Sequence, residues 1–178
     1  MPEKDATPQL QFDLLGSLHD RAGFSCGVPA LDAYLQKQAG QDVRRRVAVA
    51  FVATPDGKTI AGYYTLSQYS VELGVLPEEL AKKLPQYPLV PATLIGRLAV
   101  SVAFRGQGIG ELLLMDALYR CLGGSRQVAS AAVIVDAKDE RAAAFYRKYG
   151  FLELPKVEQR LFLPMATIEA FFGRKRTP

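Results

Sequence analysis

The sequence predicts an α+β (mixed α/β) fold, a central mixed sheet with helices on its faces, and three observations carry the prediction. Two β-rich runs, VAVAFVA (47–53) and TIAGYYTLSQYSV (59–71), are separated by TPDGK, whose Pro-Asp-Gly is a turn signal between antiparallel strands. The run TLIGRLAV (93–100) is followed by three glycines at alternate positions and then by IGELLLMDALYRCL (109–122), a strand, a glycine turn and a helix. The run SAAVIVDA (130–137) leads into DERAAAFYRKYG (139–150), a second strand and helix, closed by Gly150.

The remaining elements fit around these. LQFDLLGSL (10–18) has strand character. In GVPALDAYLQKQA (27–39), Pro29 suits a first helical turn, and Leu31, Tyr34, Leu35 and Gln38 fall at helical spacing. The stretch from Glu72 to Thr93 holds Pro77, Pro85, Pro88 and Pro91 around a short helix, EELAKKL. It reads as an elaborated connection, because a core strand follows at once. FLEL and QRLFLPM read as short final strands. Together these alternating strands and helices describe one domain spanning residues 1–178, without internal repeats or low-complexity segments.

A chain of 178 residues with 49% hydrophobic and 22% charged residues has ordinary soluble composition and can bury a sizeable core. It contains no run of 18 apolar residues, and its start, MPEKDATPQL, is polar where a signal peptide is basic and then apolar. The expected location is cytoplasmic, with no membrane attachment. Cys26 and Cys121 match no metal or redox spacing, so no metal is expected, and Cys121 beside Leu118 and Leu122 reads as a buried thiol. Positive charge is concentrated at Arg44, Arg45 and Arg46 and again at Gly173 to Arg176. Such clusters bind phosphates or form solvated faces.

The glycine turn carries the chemistry. A strand, a glycine turn and a helix N-terminus bring unpaired N–H groups together at the positive end of a helix dipole, which favours an anion. A P-loop would need Gly-Lys-Ser/Thr after four intervening residues, and Gly106 is followed at that distance by Glu111. A dinucleotide fingerprint would place the third glycine one residue later than Gly110. The pattern Arg/Gln-x-x-Gly-x-Gly does fit, filled by Arg105, Gly108 and Gly110, and here the sequence resembles the GNAT superfamily of acyl-CoA N-acyltransferases. DERAAAFYRKYGF (139–151) resembles that family's second signature, a helix with a central tyrosine that ends in Gly-Phe. Ala142, Phe145, Tyr146 and Tyr149 share one helical face, which also suits a core tyrosine.

The resemblance implies a mostly antiparallel sheet flanked by helices on both faces, with acetyl-CoA as the acyl donor. The pyrophosphate of coenzyme A would lie on Arg105, Gly106, Gln107, Gly108, Ile109 and Gly110. Its pantetheine arm would pair with the backbone of Leu98, Ala99 and Val100, and Asp139 and Phe145 would complete the donor site. Tyr146 would protonate the leaving thiolate, since a phenol with a reference pKa of about 10 is protonated at neutral pH. An N–H of the donor strand would steady the tetrahedral oxyanion.

The single histidine, His19, lies far from both signatures, and no other base is evident. A lysine amine, with a pKa of about 10.4, is almost wholly protonated at neutral pH, whereas an α-amine at about 7.7–8.0 is partly neutral. A site without a base therefore suits an α-amine. FSCGVPALDAYL (24–35), IAGYYTLS (60–67) and LPQYPLVPATLIGRLAV (84–100) resemble the tRNA-acetylating toxins of bacterial toxin–antitoxin pairs, a GNAT branch. That resemblance implies acetylation of aminoacyl-tRNA on its α-amine, a ribbon-helix-helix antitoxin as partner, and a homodimer. Arg44, Arg45, Arg46 and Arg97 are candidate contacts to the nucleic acid. Two other readings use the same donor site: an acetyltransferase of small-molecule amines or peptides, and a CoA-binding interaction module without turnover.

Overall fold

The computed structural model describes residues 9–173. The chain divides into two compact units, Met1–Leu66 with Arg97–Asp116, and Ser67–Gly96 with Ala117–Pro178. Seven strands, β1 (Gln11–Leu14), β2 (Val49–Thr54), β3 (Gly62–Glu72), β4 (Leu89–Val100), β5 (Ala132–Asp136), β6 (Leu152–Glu153) and β7 (Arg160–Pro164), form one sheet in the order β1-β2-β3-β4-β5-β7-β6. The helices are α1 (Pro29–Ala33), α2 (Ala39–Arg44), α3 (Glu78–Ala81), α4 (Ile109–Ser125), α5 (Glu140–Lys148) and α6 (Met165–Phe172). Between α1 and α2 the chain winds as a π-helix, Tyr34–Gln38. The sheet is mixed and mostly antiparallel, as the sequence predicts.

In the first unit the hairpin forms where Pro-Asp-Gly places it. Val49 pairs with Leu66 and Ala53 with Gly62. Asp56 carboxylate oxygen accepts from the N–H groups of Lys58 and Thr59 at 2.9 and 2.7 Å, and Gly57 turns the chain at φ +78°. Neighbouring residues of a strand point to opposite faces. The Tyr63 hydroxyl accordingly donates to the Leu31 carbonyl of α1 at 2.8 Å, and the Tyr64 hydroxyl donates to Asp116 Oδ2 of α4 at 2.5 Å. Helices therefore cover both faces of β3. Phe24, Tyr34, Leu35, Ala39, Val52 and Tyr63 pack together on the α1 side, each large side chain contributing roughly 1.5–3 kcal/mol on burial.

The second unit holds the parallel pair. β4 runs alongside β5 with Thr93 opposite Val133 and Ile95 opposite Val135, and β7 pairs antiparallel on the far side of β5. Ile134 and Phe162 pack with Leu76, Val90, Ala92 and Leu154. The chain differs from the sequence reading in two places. The helix expected from Pro29 continues through the π-helical stretch to Arg44, and a further helix, α6, follows β7. α6 starts directly after Pro164, which closes β7 and serves as the helix N-cap, so a run read as the end of a strand turns without a linker. Among the described residues no helix is long and apolar enough to cross a membrane.

Replacing Tyr64 with Phe deletes one charge-assisted hydrogen bond inside the first unit while keeping the ring that stacks on Phe51. The expected loss is about 1.5–3 kcal/mol of stability, read as a lower urea midpoint with an unchanged slope.

Candidate active site

The glycine turn is built from β4 outward. The Ser101 N–H donates to the Ala61 carbonyl and the Val102 N–H to the Ser25 carbonyl, each at 2.8 Å, which fixes both sides of the chain as it leaves the strand. Gly106 and Gly108 then take φ values of +77° and +73°, a region that costs a side-chain-bearing residue about 1–2 kcal/mol. A Cβ at either position would meet nothing within 4 Å, so the demand for glycine is dihedral and the space beside the turn is open. Gly110 differs, lying inside the first turn of α4. Arg105 to Gly108 are exposed, while Ile109, 1% exposed, anchors the start of the helix. The N-terminus of a 17-residue helix thus adjoins an open turn, an arrangement suited to phosphate.

The Arg105 side chain has a definite partner. Its Nη2 donates to the Cys26 carbonyl at 2.9 Å, and a Cβ on Gly27 (φ +83°) would lie 2.7 Å from the same nitrogen. Asp32 holds that segment in turn, accepting from the Cys26 N–H at 2.8 Å. Arg105 therefore straps the turn to residues 25–27.

β4 itself outruns its pairing with β5. The register of β4 with β5 ends at Ile95, whereas β4 continues to Val100. Leu98, Ala99 and Val100 lie in that continuation, with Ala99 buried and its neighbours half-buried.

Tyr146 sits on α5 in the second unit, 7% exposed, with Phe151 at 5.3 Å between ring centroids. Burial pushes its phenol up to about 12. The hydroxyl makes no hydrogen bond among the described residues, yet no buried polar side-chain atom there is left unpaired, so its oxygen reaches open space. Phe145 packs beside it, with ring centroids 5.3 Å apart. Asp139 is the N-cap of α5, its Oδ1 accepting from the Ala142 N–H at 2.8 Å.

Among the candidate basic residues, Arg44 ends α2, Arg45 caps it, and Arg46 turns the chain at φ +59°; all three are exposed. Arg97 stacks over the Tyr34 ring, 3.5 Å from its centroid. Of the second basic cluster, Arg174 to Arg176 lie outside the described residues. His19 has a structural part, its Nδ1 accepting from the Gly16 N–H at 2.9 Å. Cys26 and Cys121 are buried free thiols, Cys121 pushed up to about 12 by burial. No group of three or more His, Cys, Asp or Glu among the described residues could hold a metal.

The acetyltransferase (GNAT) domain family matches residues 46–153. The tRNA-acetylating toxin of Mycobacterium tuberculosis is 34% identical over 154 residues, covering 86% of this chain and 91% of the relative. The chain belongs to the GNAT acetyltransferase family. Two solved structures of AtaT extend the comparison to GNAT chains with their ligands. AtaT complexed with acetyl-methionyl-tRNAfMet superposes with a TM-score of 0.86 at 30% identity, covering 92% of this chain and 99% of that one. A Tyr-to-Phe variant of AtaT bound to the C-terminus of the antitoxin AtaR and acetyl-CoA gives 0.78 at 26%, covering 93% and 99%.

Three features of this GNAT chain had no local sequence signal: the strap from Arg105 to Cys26, the π-helical seat of Tyr34, and a stack of Arg160 on Tyr69. Each depends on residues far apart in the chain or on a departure from the 3.6-residue period. Substitutions at two positions test the glycine turn and the cap of α5 separately. Gly108→Ala should lower acetyl-CoA affinity in calorimetry with a stability loss of about 1–2 kcal/mol. Asp139→Ala should cost about 1 kcal/mol of stability through the lost cap, and Asp139→Ser should restore it.

Proposed function

We propose that the chain is a single-domain, acetyl-CoA-dependent N-acetyltransferase that acetylates the α-amine of aminoacyl-tRNA and so blocks translation. The observation that carries the reading is the open turn at Gly106 and Gly108, presenting the N-terminus of α4 to a diphosphate. The relatives favour the acceptor: one is a tRNA-acetylating toxin, and another is seen with acetyl-methionyl-tRNAfMet. Action on tRNA places the enzyme in the cytoplasm. A homodimer and a ribbon-helix-helix antitoxin complete the reading, the latter supported by the AtaT complex with the antitoxin AtaR.

In this mechanism residues 105–110 hold the pyrophosphate of acetyl-CoA, and the backbone of Leu98, Ala99 and Val100, beyond the register with β5, pairs with the pantetheine arm. Phe145 and the first turn of α5, capped by Asp139, border the donor. The neutral α-amine attacks the thioester carbonyl, forming the N–C bond, and a donor-strand N–H stabilises the oxyanion. The amine nitrogen gives its proton to water as the intermediate collapses. The C–S bond then breaks, and the Tyr146 phenol transfers its proton to the thiolate sulfur and is reprotonated from solvent. Burial, which pushes the phenol up to about 12, keeps it protonated across the working range while making it a weaker acid. Arg44, Arg45, Arg46 and Arg97 supply positive charge for the phosphate backbone, making binding salt-dependent.

The test is to incubate enzyme and labelled acetyl-CoA with charged tRNA, uncharged tRNA, and a panel of free amines and peptides. Label on charged tRNA alone is expected. Comparable rates on free amines overturn the acceptor, and absence of turnover with every acceptor, with acetyl-CoA still bound, favours the interaction module. Tyr146→Phe should lower kcat by about 10²–10⁴ with acetyl-CoA binding unchanged. The pH profile should rise through the α-amine range near about 7.7–8.0. Because the tyrosine is shifted upward, toward its protonated form, no alkaline fall is expected below about pH 10.

A further inference from the structure

Two arginines of this chain lie across tyrosine rings, and they differ in what else holds them. Arg160 stands 4.9 Å from the centroid of Tyr69, and its Nε and Nη2 donate to the two carboxylate oxygens of Asp136 at 2.6 and 3.0 Å. Its remaining Nη1 meets the Tyr69 hydroxyl. That guanidinium is fully engaged inside the protein.

Arg97 is stacked more closely, 3.5 Å over Tyr34, yet forms no ion pair or hydrogen bond among the described residues. The carboxylate whose field it shares, Asp42, makes its hydrogen bonds elsewhere: Oδ2 accepts from the Tyr34 hydroxyl and Oδ1 from Gln38 Nε2, both at 2.8 Å. Tyr34 and Gln38 are the first and last residues of the π-helical stretch, so this wider turn presents two donors to one carboxylate. π-helical turns concentrate at functional sites. The result is a half-buried guanidinium fixed by its face, with its N–H edge unpaired.

The position of Arg97 narrows the anion it can meet. It precedes Leu98 in β4, next to the donor strand, while the donor's own diphosphate is assigned to the turn at 105–110. On an aminoacyl-tRNA the α-carboxyl is esterified and uncharged, so the anionic group nearest the reacting amine is the last phosphodiester. We propose that Arg97 binds this phosphodiester, and that Tyr34, anchored by Asp42, is a positioning residue that presents the N–H edge of Arg97 to it. The inference rests on the aminoacyl-tRNA reading above and deepens it.

The test compares two small acceptors carrying the amino acid of whichever charged tRNA the wild-type enzyme acetylates: its ester of adenosine, without phosphate, and its ester of cytidylyl-adenosine, with one phosphodiester. Wild type should prefer the dinucleotide by about ten- to a hundredfold in kcat/KM. Arg97→Lys keeps the charge but loses the planar fork, and Tyr34→Leu removes the stack. Both should lose that preference through the acceptor KM, with the KM for acetyl-CoA and the thermal midpoint of the Lys variant little changed. Tyr34→Phe, which keeps the ring and drops the Asp42 anchor, should fall between. A full preference retained in Arg97→Lys, an equal loss on both esters, or a raised KM for acetyl-CoA overturns the proposal. If the wild type binds acetyl-CoA but acetylates neither the esters nor charged tRNA, the aminoacyl-tRNA reading itself fails, a result distinct from loss of the phosphodiester preference alone.

Discussion

The strap between residues 25–27 and the chain leaving β4 is the constraint on which the donor side of the molecule depends. The two left-handed glycines, beside an open flank, contribute no side chains that could hold the turn's shape. Its geometry comes instead from hydrogen bonds at its root: Ser101 to Ala61, Val102 to Ser25 and Arg105 to Cys26. Each satisfies a backbone group that would otherwise need water or go unpaired. Preorganised N–H groups hold an anion without the cost of ordering a loop at the moment of binding. Arg105 is thus part of the turn's own framework, whatever its role toward the donor proposed above.

Each unit, taken by itself, has its own chemical character. The first gathers positive groups that suit phosphates: the start of α4, the Arg105 strap, the exposed arginines after α2, and Arg97 on Tyr34. The second carries the aromatic surroundings of Tyr146, where Phe145 and Phe151 raise the cost of ionising the phenol and keep its proton in place. The residues matched by the family, 46–153, draw on both units.

Much of the fold was legible because the local signals agreed with one another. Pro-Asp-Gly marked the hairpin, Gly150 the end of α5 at φ +94°, and the alternating glycines the turn before α4. The place of Tyr146 on the buried face of α5 was legible in the helical period of Ala142, Phe145, Tyr146 and Tyr149, while its candidate role came from the resemblance to the family's second signature. The π-helical stretch was not legible, since Leu31, Tyr34, Leu35 and Gln38 satisfy an ordinary helical period and nothing local announces an i→i+5 bond from Ala39 to Tyr34. α6 was hidden by its abrupt start at Pro164. Asp139 could be placed at the head of α5 from sequence, but only the hydrogen bond to Ala142 reveals it as a cap.

The strap also has a bearing on how the molecule comes into being. Arg105 and Cys26 are 79 residues apart, so a growing polypeptide that has released only its early hairpin lacks half of the fastening. Contacts of such long sequence separation form late and together with the surrounding core. The turn therefore cannot take its fastened shape before the second partner has left the ribosome.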